Sequence, residues 1–403
     1  MSGPLEGLRV VEHVGPLGQL AGKLLADMGA DVVTIEPPAG SEARAIGPFV
    51  DDEPGPNRSL NYWYHNTNKR SVVLDLATSE GVRTWCSLIA KADIVIEDRA
   101  PGELDRLDAG YATLGATPGL IWCAITPFGQ DGPWASYQAT DMIGLALGGP
   151  MKMNGYDEAD VPGAPPIRGL GDQGYNTTCH YAVQGILAAL LYRDRTGRGQ
   201  FIDASMHEAC SSTTEVGLPY WFTRQVDVIR QTGRHAAANP TESWLHLAND
   251  DRYNLIFGVG RDNASWAKIK SWFQESGFGK QFDEPRFNEP AARQPGRGSP
   301  EAAEIMQELS AFIGAHSAEE IYRGGQERRQ AWGVVRAPSE ALDDPHWQDR
   351  GFWVEVTGEG RDSPVRMPGA PYQFSATPWE LRRPAPKLGE HTAEVLAEWL
   401  GQE

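Results

Sequence analysis

The sequence predicts an α/β fold with a parallel sheet, followed by a smaller second domain. Short β-branched runs alternate with helix-period segments over residues 1–130, as βαβ crossovers require. The pattern changes near residue 225, where isolated strand and helix signals replace the alternation. A length of 403 residues is that of two or three domains at roughly 100–200 residues each.

The elements follow in order. Leu8, Arg9, Val10 and Val11 make the first strand, which ends at the turn Gly15-Pro16-Leu17-Gly18. Leu20, Leu24, Leu25 and Met28 then recur at helical spacing, and Gly29 closes that helix as its C-cap. Residues 32–35 are the next strand, stopped by Pro37-Pro38. The unit repeats with strand 71–74, helix 82–90 and strand 93–96. A short helical stretch near Leu104 precedes strand 120–125. One long helix covers 173–195, with Ala182, Ile186, Ala189 and Leu190 on one face. Thr196-Gly197-Arg198-Gly199 ends it, and strand 201–204 follows. Beyond residue 225 the sequence predicts an isolated strand at 255–259, helices at 266–273 and 302–315, and a Pro/Gly/Arg/Ser-rich surface loop at 288–300. A Pro- and Gly-dense tail after Pro338 ends in a helix at Thr392–Leu400.

Composition excludes several functions. Asp plus Glu is 54 against 36 for Lys plus Arg, a formal charge of −18 that repels phosphate backbones and anionic lipid. No nucleic-acid or membrane role is expected. The same charge poses a problem if the ligand is anionic. Cys86, Cys123, Cys179 and Cys210 form no CxxC pair, so neither a disulfide framework nor a zinc knuckle is expected. His207 and Cys210, three apart, share a helix face without a further cluster, and no metal site is predicted. The N-terminal residues lack signal-peptide character and no run of about 20 apolar residues occurs, which predicts a cytoplasmic protein. Gly15-x-x-Gly18-x-x-x-Gly22 is not the dinucleotide fingerprint GxGxxG, and Walker A, GxSxG and HExxH sequences are missing.

Chemistry concentrates at Arg168-Gly169-Leu170-Gly171-Asp172-Gln173-Gly174-Tyr175-Asn176, just before the long helix. Asp172 is a natural N-cap for that helix. The glycines allow a second role, because Gly169, Gly171 and Gly174 clear side chains from around one carboxylate. Gly174 and the first-turn amides are placed to donate N–H groups to an oxyanion. Both readings of Asp172 stand on spacing alone.

Seven segments, in order, give the chain its resemblance to the class III CoA-transferases, the group of carnitine CoA-transferase, formyl-CoA transferase and α-methylacyl-CoA racemase. They begin with Pro4-Leu5-Glu6-Gly7-Leu8-Arg9-Val10 and Leu25-Ala26-Asp27-Met28-Gly29-Ala30-Asp31-Val32. Asn68-Lys69-Arg70-Ser71-Val72-Val73-Leu74-Asp75-Leu76 and Phe128-Gly129-Gln130-Asp131-Gly132-Pro133 come next. Gly185-Ile186-Leu187-Ala188-Ala189-Leu190 with Thr196-Gly197-Arg198-Gly199-Gln200, Asp344-Pro345-His346 and Leu388-Gly389-Glu390-His391-Thr392 complete the series.

The resemblance implies a large Rossmann-like α/β domain built from both chain ends, a smaller α/β domain, and two identical chains interlocked as linked rings. The expected boundaries are 1–224 for the N-terminal part of the large domain, 225–330 for the small domain, and 331–403 for the linker and returning C-terminal part. It implies CoA and acyl-CoA as substrates, with a carboxylic acid as acceptor and no tightly bound cofactor. Asp172 matches the family's nucleophile, with Gly171 and Gly174 beside it. Asp141 matches a supporting acidic residue, while its bland role is to cap a helix over 142–147. CoA contacts are implied at Arg106 and, through Ile96-Glu97-Asp98-Arg99-Ala100-Pro101-Gly102, at Asp98 and Arg99. Lys69, Arg70, Leu74 and Arg44 are further candidates. The family's usual VENFRPG is altered in that segment, its strand-end lysine is Thr34, and no glycine run lies between Trp244 and Trp266. Two alternatives stay open. An acyl-CoA racemase would need a base at the position of Thr140, and threonine is no base near neutral pH. A non-catalytic CoA-binding partner subunit would explain the altered CoA motifs.

Overall fold

Six short strands rich in Val and Ile lie side by side in one sheet, and the crossover connections between them return the chain to the same edge each time. The strands are β1 (Arg9–His13), β2 (Asp31–Glu36), β3 (Lys69–Val73), β4 (Ile94–Glu97), β5 (Ile121–Thr126) and β6 (Phe201–Ser205). Between and after them come α1 (Gln19–Asp27), α2 (Leu60–Asn66), α3 (Ser79–Ile89), α4 (Asp141–Leu147), α5 (Gln173–Thr196) and α6 (Met206–Ser211). All neighbours pair in parallel, in the order β3-β2-β1-β4-β5-β6. This is the doubly wound order, and the chain reverses direction across the sheet between β1 and β4. Val10, Val11, Val32, Val33, Ile94, Val95, Ile121 and Cys123 are fully buried, as central strands covered on both faces must be. The computed structural model describes residues 3–241, 243–256, 258–260, 262–293 and 299–401.

The chain divides into two compact units: residues 1–150, 169–213 and 342–403 in one, and 151–168 with 214–341 in the other. In the larger unit, Trp85, Leu88 and Ile89 of α3 cover one sheet face together with Val395 and Trp399 of the C-terminal helix α7 (Thr392–Leu400). Trp399 also donates its indole N–H to Asp31 at 3.3 Å, which ties the chain end to β2. α5 packs along β5 and β6 with Cys179, Ala182, Ile186 and Ala189 fully buried, and ends at Gly197 in the left-handed conformation (φ 72°).

In the smaller unit the segment expected to be an isolated strand is instead the centre of an antiparallel sheet. Tyr253–Ile256 pairs with Leu245–Leu247 on one side and Trp332–Val334 on the other. These neighbours are too short to stand out by alternation, and Phe257 lies outside the described residues. Trp266, Phe273, Phe282, Phe287, Phe312 and Trp332 pack into one aromatic core against that sheet. Most of the expected loop at 288–300 falls at 294–298, outside the described residues. Residues 151–168, expected in the large domain, belong to this unit. The Asp157 carboxylate pairs with Arg234 at 2.7 Å and its amide donates to Thr232 Oγ1 at 2.9 Å, fastening the segment to the hairpin Ile229–Gln231/Arg234–Ala237. No described helix is long and apolar enough to cross a membrane.

Candidate active site

α5 runs back to the start of β6, so its first turn lies over the carboxyl edge of the sheet, where ligands of doubly wound folds bind. Gly171 precedes it with φ +77°, a conformation that disfavours any side chain there. Asp172 holds the N-cap position of α5, yet its side chain makes no cap bond. Asp141 does that work from another helix. Its Oδ1 accepts the main-chain N–H of Gly174 at 2.7 Å and of Tyr175 at 3.1 Å.

This arrangement corrects two expectations. Thr140, not Asp141, is the N-cap residue of α4, and Asp141 is the buried first residue of that helix. Gly174 is not placed to serve an oxyanion, since its amide is already given to Asp141. Its missing side chain has a packing cause: a Cβ there would sit 3.1 Å from Asp141 Oδ1 and 3.3 Å from Cys210 Sγ.

Asp98 is likewise a structural carboxylate rather than a ligand contact. Its oxygens accept the amides of Gly15, at 2.9 and 2.8 Å, and of Gly18, at 3.0 Å. These are the turn amides that a dinucleotide pyrophosphate would otherwise take, so a built-in anion replaces the ligand anion at the start of α1. Arg99 pairs with Asp98, keeps about a quarter of its side chain exposed, and has a buried Nε without a partner among the described residues. Arg106 is exposed and makes no ion pair among the described residues. These two arginines remain the candidate CoA cations.

Lys69, Arg70, Arg44 and Leu74 are committed to the protein itself. Lys69 is fully buried, and its ammonium donates to Glu12 Oε1 (2.7 Å), the Gln19 carbonyl (2.8 Å) and Asn66 Oδ1 (3.0 Å). Arg70 bridges Asp31 to Glu394 and Glu398 of the C-terminal helix. Arg44 holds Glu36 with two charge-assisted bonds, of 2.6 and 2.7 Å, and spends its other donors on Tyr62, Asn57 and two carbonyls. It borders a cavity of about 300 Å³ with no donor left to offer. Leu74 lies in the core beside Val72 and Trp85.

Two groups at the site went unread in the sequence. The Tyr175 hydroxyl is pushed up by burial and then by the surrounding negative charge of Asp141, Asp172 and Asp98, so it stays a neutral donor. Glu97, at the end of β4, is buried and accepts the Arg99 amide at 2.7 Å; burial pushes its carboxyl up to about 8. Its signal was its position at a strand end beside Asp98-Arg99. Among the described residues no group of three His, Cys, Asp or Glu side chains is arranged to hold a metal.

A doubly wound sheet with a carboxylate at a helix start over its carboxyl edge is the frame of an α/β ligand-binding protein. The family model for CoA-transferase family III matches residues 5–392, and the chain belongs to that family. It is a CoA-transferase enzyme. It is 32% identical over 393 residues to the succinyl-CoA:(R)-benzylsuccinate CoA-transferase subunit BbsE of Thauera aromatica, covering 97% of this chain and 93% of that protein. It is 34% identical over 403 residues to the succinate–glutarate CoA-transferase of Agrobacterium fabrum, covering 98% and 95%. The crystal structure of a CaiB/BaiF family protein from Brucella suis superposes with a TM-score of 0.81 at 27% identity, over 99% of this chain and 100% of that one.

Proposed function

We propose that this enzyme moves CoA from an acyl-CoA thioester to a carboxylic acid with Asp172 as the covalent nucleophile. The observation that carries the reading is the division of labour at α5: Asp141 caps the helix, and Asp172 stands at its N-cap position without making a cap bond.

The chemistry asks for a carboxylate. Asp172 attacks the acyl-CoA carbonyl, the C–S bond breaks, and an aspartyl–acyl anhydride forms with CoA thiolate released. The thiolate attacks the aspartyl carbonyl of that anhydride, expels the acyl group as a free carboxylate, and leaves an aspartyl-CoA thioester. The acceptor carboxylate then attacks this thioester to form a second anhydride. The returning thiolate takes the acceptor's acyl group and restores Asp172. A serine or cysteine would stop at an ester or thioester that does not exchange with carboxylates in this way. Each anhydride is hydrolysed readily, so the reaction requires a site shielded from water.

Incubating the enzyme with acyl-CoA and trapping with hydroxylamine or borohydride should modify Asp172, detectable by peptide mass spectrometry. Asp172→Ala should abolish turnover. Full activity of that variant, or modification elsewhere only, removes the reading.

The proposal extends to an interlocked homodimer. Met142, Ile143 and Leu147 on α4, with Leu191 and Tyr192 on α5, are exposed apolar groups that a second chain would cover. Light scattering on the purified chain tests this. A second reading rests on the name of one relative, which is a subunit: the chain works with a different partner. Turnover by the chain purified alone decides against it.

A further inference from the structure

The loop between β5 and α4 presents aromatic rings at the same sheet edge as Asp172. Trp134 and Tyr137 lie nearly parallel, with 14° between their planes and centroids 6.3 Å apart. Phe128 meets them edge-on at 6.0 and 6.2 Å. His207, in the first turn of α6, packs 5.7 Å from Phe128 and 5.6 Å from Trp134. Its Nδ1 is buried and has no partner among the described residues.

The loop is held in place. Pro127 accepts the His207 amide at 3.0 Å, Asp203 accepts the Gln130 amide at 2.9 Å, and Trp134 accepts the Tyr137 amide at 2.8 Å. Even so, Trp134 stays 44% and Tyr137 55% exposed, an apolar surface left open among the described residues.

The chain path links these rings to the start of α5. α5 and α6 both start at the carboxyl edge, and they touch where Cys210 faces Gly174. His207 lies three residues before Cys210 on the same face of α6. Asp172 lies two residues before Gly174 on α5. Tyr137 lies four residues before Asp141, whose carboxylate accepts the Gly174 amide at 2.7 Å, so the ring loop leads into the start of α5.

We infer that Phe128, Trp134, Tyr137 and His207 form the acyl-group subsite, and that it favours substrates carrying a planar aromatic ring. The inference rests on the reading that transfer occurs at Asp172. Offset or edge-on contact with the exposed Trp134 and Tyr137 faces would cover surface now open to water. A short aliphatic acyl group would leave those faces wet.

Binding measured on the Asp172→Ala protein separates the inference from turnover. Titration calorimetry should show phenylacetyl-CoA binding more tightly than acetyl-CoA. Adding Trp134→Ala should weaken phenylacetyl-CoA at least about tenfold more than acetyl-CoA, the scale set by loss of an apolar pocket contact. Tyr137→Ala should act in the same direction. Equal weakening of both thioesters, or no weakening, overturns the inference. So does a change of oligomeric state with an unchanged ratio, which would make the rings a subunit contact. If Asp172→Ala retains turnover, the nucleophile reading falls while the binding ratio still reports on the rings.

Discussion

The Asp141 carboxylate accepts the main-chain N–H of Gly174 at 2.7 Å, two residues beyond Asp172. Two acidic side chains therefore meet at one helix start and do different things. The positive end of the helix dipole favours both, but only Asp141 takes the amides. Asp172 holds the cap position without the cap bond, and its backbone carbonyl still accepts the first helical bond, from Asn176, at 2.8 Å.

Removing the cap should therefore damage the site from outside it. Asp141→Ala leaves the buried Gly174 N–H unpaired, a loss of about 1–3 kcal/mol. Denaturant unfolding should show that loss, and turnover should fall because the start of α5 is no longer held. Asp141→Asn keeps an acceptor and should recover part of both. Unchanged stability in Asp141→Ala would mean the bond contributes nothing.

Lys69 and Arg106 should separate cleanly. Lys69→Met strips the partner from fully buried Glu12, and breaking such a pair costs about 3–5 kcal/mol. Its folded yield should collapse, and the double variant Glu12→Gln, Lys69→Met should regain part of it. Arg106→Ala, at an exposed position, should melt like the parent while its KM for acyl-CoA rises severalfold. A stable Lys69→Met protein with weakened CoA binding would restore Lys69 as a ligand contact.

The two outcomes differ for a reason that also limits what a sequence reveals. The parallel sheet and α5 were legible because β-branched runs and helical spacing are local. The strand expected to stand alone at 255–259 pairs instead, at Tyr253–Ile256, with three-residue strands too short for alternation to reveal. Asp98 resembled a ligand contact, yet its partners Gly15 and Gly18 lie 83 and 80 residues away. Lys69 and Glu12 are 57 residues apart, and no spacing announces that they meet. Basic residues in a family motif look alike in sequence whether they face solvent or a buried carboxylate. Which carboxylate caps α5 was illegible for the same reason, since Asp141 comes 33 residues before Gly174.

Charge predicts a salt response. The chain carries −18, and Lys69, Arg70, Arg44 and Arg99 are each paired with a carboxylate, which leaves Arg106 as the candidate cation without an ion pair among the described residues. Screening length falls from about 30 Å at 0.01 M to about 10 Å at 0.1 M, which removes long-range repulsion before it weakens contacts at the site. CoA should bind more tightly as salt rises through this range. Affinity that falls steadily from the lowest ionic strength would show that local attraction already dominates.

Glu97 should shape stability on the alkaline side. Its carboxyl is pushed up from 4.5 to about 8 by burial, with the Arg99 amide opposing and the Asp98 charge adding. The folded state holds this proton after the unfolded chain has released it. Its contribution is complete below about pH 4.5 and is lost as pH rises to about 8. Burial acts in the opposite sense on His65 and His246, lowering both from 6.5 to about 4. Their contribution is present above pH 6.5 and disappears as pH falls toward 4. Glu97→Gln imitates the protonated carboxyl at every pH. Its melting temperature should exceed the parent's by a margin that grows from pH 5 to pH 8, reaches several degrees, and levels off above. The decline on the acid side should remain in both proteins. A constant margin across that range would mean that Glu97 is ionised in the folded protein throughout.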